Sequence, residues 1–203
     1  MVIEDRESVG YSRAVDADLL IAGYRKGLFV MACGGNRYQW WSPNPRGILP
    51  LEELRVPRSL RRSVRRYEVT FDADFESVVG HCADPARRGG WIDRGLAQVY
   101  LELHRRGYAH SVECWDPAGA LAGGLFGVNI GGFFSGESMF HVAPDASKVA
   151  LVALVERLRA ASQPVLLDTQ WRTEHLASLG VVEVPRAEYL RRLAAVVDLP
   201  MAL

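Results

Sequence analysis

Between Trp91 and Val184 the apolar residues switch repeatedly between helical and strand spacing, and the order of those switches leaves few folds open. Residues 94–106 carry Leu96, Val99, Tyr100 and Leu103 on one helical face, with Gly107 as the stop. HSVECW (110–115) and ALAGGLFGVNI (120–130) read as strands joined by the turn Asp116-Pro117-Ala118-Gly119, which makes a hairpin. FFSGESMF (133–140) extends the sheet. Asp145 then opens a long helix in which Val149, Leu151, Val152, Leu154, Val155 and Leu158 bury one side. PVLLDTQW (164–171) is a buried strand, TEHLASLG (173–180) a short helix with a glycine stop, and VVEV (181–184) a last strand. Helices and strands in this order predict an α+β chain built on a mixed sheet.

The first quarter of the chain is patterned differently. Asp16 is an N-cap for a helix over 16–26, with Leu19, Leu20 and Tyr24 as its apolar stripe and Gly27 as its end. GLFVMACGG follows as a brief strand ending in glycines. WWSPNPRGILP (40–50) carries three prolines and two tryptophans and is expected to be rigid irregular chain at a domain junction or the wall of a site. The expected division is a small N-terminal domain over 1–57 and a larger sheet domain over 58–203.

Composition narrows the function classes. The 203 residues are 49% hydrophobic, which supplies a core and excludes a disordered or disulfide-scaffold chain. Lys+Arg and Asp+Glu both number 24, so any nucleic-acid footprint must lie in the placement of charge. Cys33, Cys82 and Cys114 form no C-x-x-C pair, which points to reduced thiols in a cytosolic protein and to no zinc site. No apolar run approaches the ~18 residues of a membrane span. The N-terminal MVIEDRESVG is polar and acidic and does not read as a signal peptide.

Placement of charge stands out in RSLRRSVRR (58–66). On a helix, Arg58, Arg61, Arg62, Arg65 and Arg66 share one arc of roughly 140°, while Leu60 and Val64 point into protein. Such a face suits a polyanion whose phosphates neutralise it; a solvated face balanced by Glu52, Glu53 and Glu68 is the plainer alternative.

The element order resembles the N-acetyltransferase-like fold, which grips acyl-CoA with a glycine-containing loop at a helix N-terminus. The corresponding segment here is HVAPDASK (141–148). It has no glycine and places Asp145 where an anion would sit, which disfavours a CoA donor. No Walker A loop or Rossmann fingerprint occurs. The glycines of AGGLFGVNIGG suit close backbone approach. Asp168 and Gln170 lie two apart on a strand, so a carboxylate and a carboxamide are expected on one side. A buried aspartate needs a partner, and either a site or neighbouring backbone can supply it. Glu137 presents the same choice. His81, His104, His110, His141 and His175 show no ligand spacing, and no G-x-S-x-G elbow is present.

Taken together, YRKGLF (24–29), WWSPNPRGILP, RSLRR (58–62), YLELHRRGYAHSVE (100–113), FSGESMFHVAPDASKVAL (134–151), LLDTQ (166–170) and VPRAEYL (184–190) resemble the leucyl/phenylalanyl-tRNA–protein transferase family over residues 20–193. The resemblance implies a small N-terminal domain on an N-acetyltransferase-like domain and an aminoacyl-tRNA donor in place of a cofactor; the cysteines point to a cytoplasmic protein with no metal, and no oligomerisation stripe is evident, so a monomer is expected. The resemblance also implies transfer of Leu or Phe, and Met less well, from aminoacyl-tRNA to proteins with N-terminal Arg or Lys, which marks them for degradation. By the same resemblance the five arginines contact tRNA phosphates, with Arg65 and Arg66 prominent. Trp91, Tyr100 and Met31 form the platform for the terminal adenosine. Leu125, Phe134, Met139, Leu154 and Leu167 line the donor side-chain pocket, with Gly136 and Glu137 at its edge. Asp168 and Gln170 match the catalytic pair: Asp168 orients and deprotonates the attacking amine, directly or through Gln170. Val30, Thr169 and Trp171 differ from the residues usual at their positions. Two other classes fit parts of the sequence: an acyl-CoA-dependent N-acyltransferase, and a non-catalytic tRNA-binding module.

Overall fold

The computed structural model describes residues 7–87 and 89–203; the first six residues of the polar N-terminal stretch lie outside them. Two sheets organise these residues. The smaller has three antiparallel strands in the order β1-β3-β2, from β1 (Ser8–Ser12), β2 (Phe29–Ala32) and β3 (Tyr38–Trp41). Helix α1 (Ala17–Arg25) starts at Asp16, whose carboxylate accepts the Leu19 N–H at 2.7 Å, the expected cap. Leu20 and Tyr24 of its stripe are buried. Leu19 is not: it is 42% exposed, on the side of the helix turned from the core.

The stretch 40–50 corrects the expectation of irregular chain. Trp40 and Trp41 finish β3, and Arg46–Leu49 form β4. Pro43, Pro45 and Pro50 all fall outside the two strands, so the prolines remove no hydrogen bond from either ladder. Although it precedes residue 58, β4 belongs to the larger sheet.

That sheet has seven strands in the order β10-β4-β9-β8-β7-β6-β5. They are β5 (Glu68–Phe71), β6 (Ala109–Trp115), β7 (Leu121–Ile130), β8 (Phe133–His141), β9 (Leu166–Gln170) and β10 (Val182–Val184), with β4. The hairpin β6–β7 and the strand β8 follow the sequence pattern. Every pairing is antiparallel except β8 with β9. A parallel neighbour requires a crossover, and α5 (Ala146–Arg159) provides it. The remaining helices are α2 (Arg58–Val64), α3 (Phe75–Cys82), α4 (Arg94–Arg105), α6 (Glu174–Ser178) and α7 (Arg186–Val196).

Both faces of the large sheet are covered, so its strands alternate between two apolar cores. Ile48, Phe126, Phe133 and Leu166 join α1, α3, α4 and α7 in one core. Their neighbours Leu49, Leu125, Phe134 and Leu167 join α2 and α5 in the other. The glycines of β7 serve close approach. A Cβ on Gly123 would stand 2.7 Å from Ala146 at the start of α5, and one on Gly127 would stand 2.3 Å from the ring of Phe134. Among the described residues no helix is long and apolar enough to cross a membrane.

Candidate active site

The parallel pair β8–β9 is short. Phe133–Ser135 pair with Leu166–Asp168, and beyond that point the strands part. Gly136–Met139 on one side and Thr169–Trp171 on the other then line a cavity of about 340 Å³, within the range of small-molecule sites. Because it sits in a split of the sheet, the cavity reaches both faces. Leu125, Met139, Leu151, Leu154 and Leu167 make its apolar end; Phe29, Met31, Trp91, Glu137 and Gln170 line the other. Trp171 closes it against the three-stranded sheet. Its ring lies edge-on to Phe29 at 4.9 Å and Trp41 at 5.7 Å, and its Nε1 donates to Glu7 Oε2 at 2.8 Å. The Thr169 hydroxyl is buried in the wall with no partner among the described residues.

Asp168 is fully buried and lies behind this wall. Its Oδ1 accepts from Arg46 Nε and from the Gln170 N–H, each at 2.9 Å. Its Oδ2 accepts from Arg46 Nη2 at 2.6 Å and from the Tyr189 hydroxyl at 2.9 Å. Those donors fill the roughly four acceptor sites of a carboxylate. Arg46 is just as enclosed: its guanidinium lies over the rings of Phe29 (4.9 Å) and Tyr189 (4.5 Å), and its Nη1 donates to Gly27 O at 3.0 Å. Burial opposes its charge, but Asp168 outweighs burial and holds the Arg46 pKa above its ordinary value. The ion pair thus joins β4 and β9 to the turn between α1 and β2 and to α7. Arg46 and Tyr189 escape sequence reasoning as site residues. The need of a buried aspartate for a cation is the signal that could have found the arginine.

Gln170 departs from the expectation that it shares a side with Asp168. It adopts φ +58°, which breaks the strand's alternation. The two side chains do not meet; the Gln170 N–H bond to Asp168 holds the strained turn in place. The carboxamide instead donates from Nε2 to Ser135 Oγ at 2.8 Å, and Ser135 donates to Glu137 Oε1 at 2.7 Å. Tyr100 donates to Glu137 Oε2 at 2.7 Å. Burial pushes the Glu137 carboxyl above its usual pKa, while the Ser135 and Tyr100 hydrogen bonds pull it back. Burial, then the charge of Glu137, raises the Tyr100 phenol well above its usual value.

The cavity gathers Met31, Trp91, Leu125, Gly136, Glu137, Met139, Leu154, Leu167 and Gln170 from the positions expected in the site. Phe134, Tyr100 and Asp168 stand outside it, each with no exposed surface. Tyr100 therefore offers no ring face to a base; it meets Trp91 edge-on at 6.4 Å from beneath. Asp168 likewise has no surface from which to take a proton directly.

The basic segment is exposed. Arg58, Arg61 and Arg62 lie on α2, which stops at Val64; Arg65 caps it and Arg66 follows, so a single helical arc describes only the first three. Among the described residues none of the five arginines is within salt-bridge distance of an acid. Ser63 of α2 donates to Asp145 Oδ2 at 2.9 Å, and Lys148 donates to Asp145 Oδ1 at 2.9 Å. A carboxylate therefore stands at the first turn of α5. Asp145 caps that helix by position alone: it has φ +65° and its side chain makes no cap bond. Among the described residues no cluster of His, Cys, Asp and Glu could hold a metal, and all three cysteines are free.

Comparison with known proteins adds to this geometry. The family model described as leucyl/phenylalanyl-tRNA protein transferase matches residues 48–194, and the model of that family's N-terminal domain matches residues 13–44. A leucyl/phenylalanyl-tRNA–protein transferase of Rubrobacter xylanophilus is 51% identical over 187 residues, spanning 91% of this chain and 96% of its own. Its namesake in Anaeromyxobacter dehalogenans is 49% identical over 196 residues, spanning 92% of this chain and 83% of its own. Among solved structures, a functionally unknown conserved protein of Staphylococcus epidermidis aligns with 88% of this chain and 68% of its own at TM-score 0.46 and 10% identity, too slight a likeness to argue from.

Proposed function

The chain belongs to the leucyl/phenylalanyl-tRNA–protein transferase family, and from that premise we propose how its residues carry amino acids from aminoacyl-tRNA to protein N-termini. The observation that carries the reading is the split between β8 and β9: one cavity with an apolar end and a carboxamide and a carboxylate at the other. The donor side chain, from Leu, Phe or Met, lies between Leu125, Met139, Leu154 and Leu167. A leucine-lined pocket sorts donors by size, at about 1–3 kcal/mol per methylene. The terminal adenosine rests against Trp91, with Met31 opposite. The exposed arginines from Arg58 to Arg66 hold the acceptor-stem phosphates.

The α-amine of a protein beginning with Arg or Lys enters beside Gln170 and attacks the ester carbonyl. An ester is already activated, so positioning supplies much of the acceleration. Gln170 touches the amine and the intermediate. Asp168 acts through it, as the acceptor that holds the Gln170 backbone in its left-handed turn. The product is a degradation mark, and the chain works as a cytoplasmic monomer. We read the large domain as N-acetyltransferase-like and place the domain division between residues 44 and 46, ahead of β4. The carboxylate of Asp145 at the first turn of α5 disfavours the pyrophosphate of an acyl-CoA donor.

The test is transfer of labelled Leu, Phe and Met from charged tRNAs to peptides beginning with Arg, Lys or Ala. Transfer to Arg and Lys peptides alone is expected, with no turnover of acyl-CoA. The double variant Arg65→Gln, Arg66→Gln is expected to weaken tRNA binding and to lower its salt dependence by about two ion contacts. An unchanged slope removes the basic segment from the interface.

A further inference from the structure

Two buried carboxylates flank Gln170, and they differ in what they have left to offer. Asp168 has four donors and no exposed surface. Glu137 accepts from Ser135 on one oxygen and Tyr100 on the other, with the Tyr24 hydroxyl also turned to it, and it lines the cavity with 9% of the residue's surface exposed. We propose that Glu137, and not Asp168, takes the proton from the attacking α-amine, with Ser135 and Tyr100 as its positioning residues; this rests on the aminoacyl-transfer reading above.

Ser135 makes the arrangement directional. An ionised Glu137 can only accept, so the Ser135 proton points to it. The Ser135 oxygen is then left to accept, and only the amide nitrogen of Gln170 can donate to it. The carboxamide is thereby turned with Oε1 free of any partner among the described residues. That oxygen holds the incoming ammonium while Glu137 receives its proton.

The ammonium of the acceptor, with an ordinary pKa of about 8, gives one proton to Glu137. The free nitrogen lone pair attacks the ester carbonyl and forms the C–N bond. The intermediate then breaks the C–O bond to the ribose, and the ribose oxygen takes the proton back from Glu137. The second proton lost as nitrogen becomes an amide goes to water. Neither an oxidant nor a metal is required for this balance.

Ionisation of Glu137 is felt by Ser135 on β8, Tyr100 on α4, Tyr24 on α1, Asp168 on β9, Arg46 on β4 and Tyr189 on α7. Burial raises its pKa, so activity falls on acidification through a limb above the ordinary carboxylate range.

The experiment measures kcat and KM for an Arg peptide with saturating Phe-tRNA, from about pH 6 to roughly pH 9. Glu137→Gln is expected to lower kcat at least about 100-fold near neutrality and to replace the carboxyl limb with a rise that follows the acceptor amine, near about pH 8. Its deficit should shrink about tenfold at the alkaline end, where the amine is already free. Asp168→Asn keeps the limb at whatever level it works. Ser135→Ala lowers kcat about tenfold and keeps the limb. Tyr100→Phe removes one donor to the carboxylate and moves the limb to higher pH, which reads the same group should Glu137→Gln not fold. The wild-type limb retained at its own pH in Glu137→Gln, a deficit equal at every pH, or a limb unmoved in Tyr100→Phe overturns the proposal. Wild-type chain that transfers nothing from Leu-tRNA or Phe-tRNA overturns the underlying reading instead.

Discussion

The two faces of the seven-stranded sheet are assembled by different rules. Toward α2 and α5 the core is apolar: Leu49, Leu125, Phe134, Leu154 and Leu167 meet with no buried charge. Toward α1, α4 and α7 the sheet buries Arg46, Glu137 and Asp168, each satisfied by named partners. An apolar face tolerates exchange of one hydrophobe for another of like volume. A charged face does not, because each member leaves an unpaired charge when its partner is removed. The cavity lies where the split in the sheet joins them, so shape selection and polar chemistry reach one bound substrate from opposite sides.

The largest expected effect falls on the charged face. Arg46→Met leaves Asp168 buried and unpaired and should lower stability by about 3–5 kcal/mol, read by chemical denaturation. Replacing both partners, Arg46→Met with Asp168→Leu, should restore part of that stability but not transfer. A double variant that transfers as well as wild type would show that the ion pair serves the fold alone. On the apolar face, Leu154→Ala should cost about 2–4 kcal/mol and widen the pocket, shifting donor preference from Leu toward Phe in a competition assay. An unchanged preference would mean that the donor side chain lies elsewhere.

The smallest effect is one of sign. A carboxyl whose folded pKa is raised binds its proton more tightly in the folded state, so its contribution to stability falls as pH rises from the unfolded to the folded pKa. Glu137→Gln removes that decline. The variant should therefore gain on wild type in denaturation midpoint as pH rises from acid toward neutral, although it loses transfer. A constant difference between the two would mean that burial of Glu137 does not set its ionisation.

Most of the large sheet is legible in the amino-acid pattern, because strands covered on both faces and a crossover helix leave strong periodic signals. Helix α4, the hairpin β6–β7, β8, α5 and β9 all form where their patterns lie. β1, β5, α3 and α7 escape that pattern; β1 and β5 are only five and four residues long. Prolines hide β4, since a dense proline count looks irregular even when each ring sits just outside the strand. At the site, the apolar residues that line the cavity are legible on the sequence. What Tyr100 and Asp168 touch is not: a tyrosine behind a wall and one facing a ligand have the same local pattern, and so do a saturated carboxylate and an open one.

The sequence by itself determined the order of elements from α4 to β10, the alternation of most of the large sheet and the family, because each is written in local spacing and residue type. Only the tertiary structure decided that Arg46 reaches across 122 residues to Asp168, that β8 and β9 part just past Ser135, and that Glu137 keeps a face on the cavity while Asp168 keeps none. Hydrogen-bond saturation and exposure are properties of what packs around a group, and they arise only when distant segments meet.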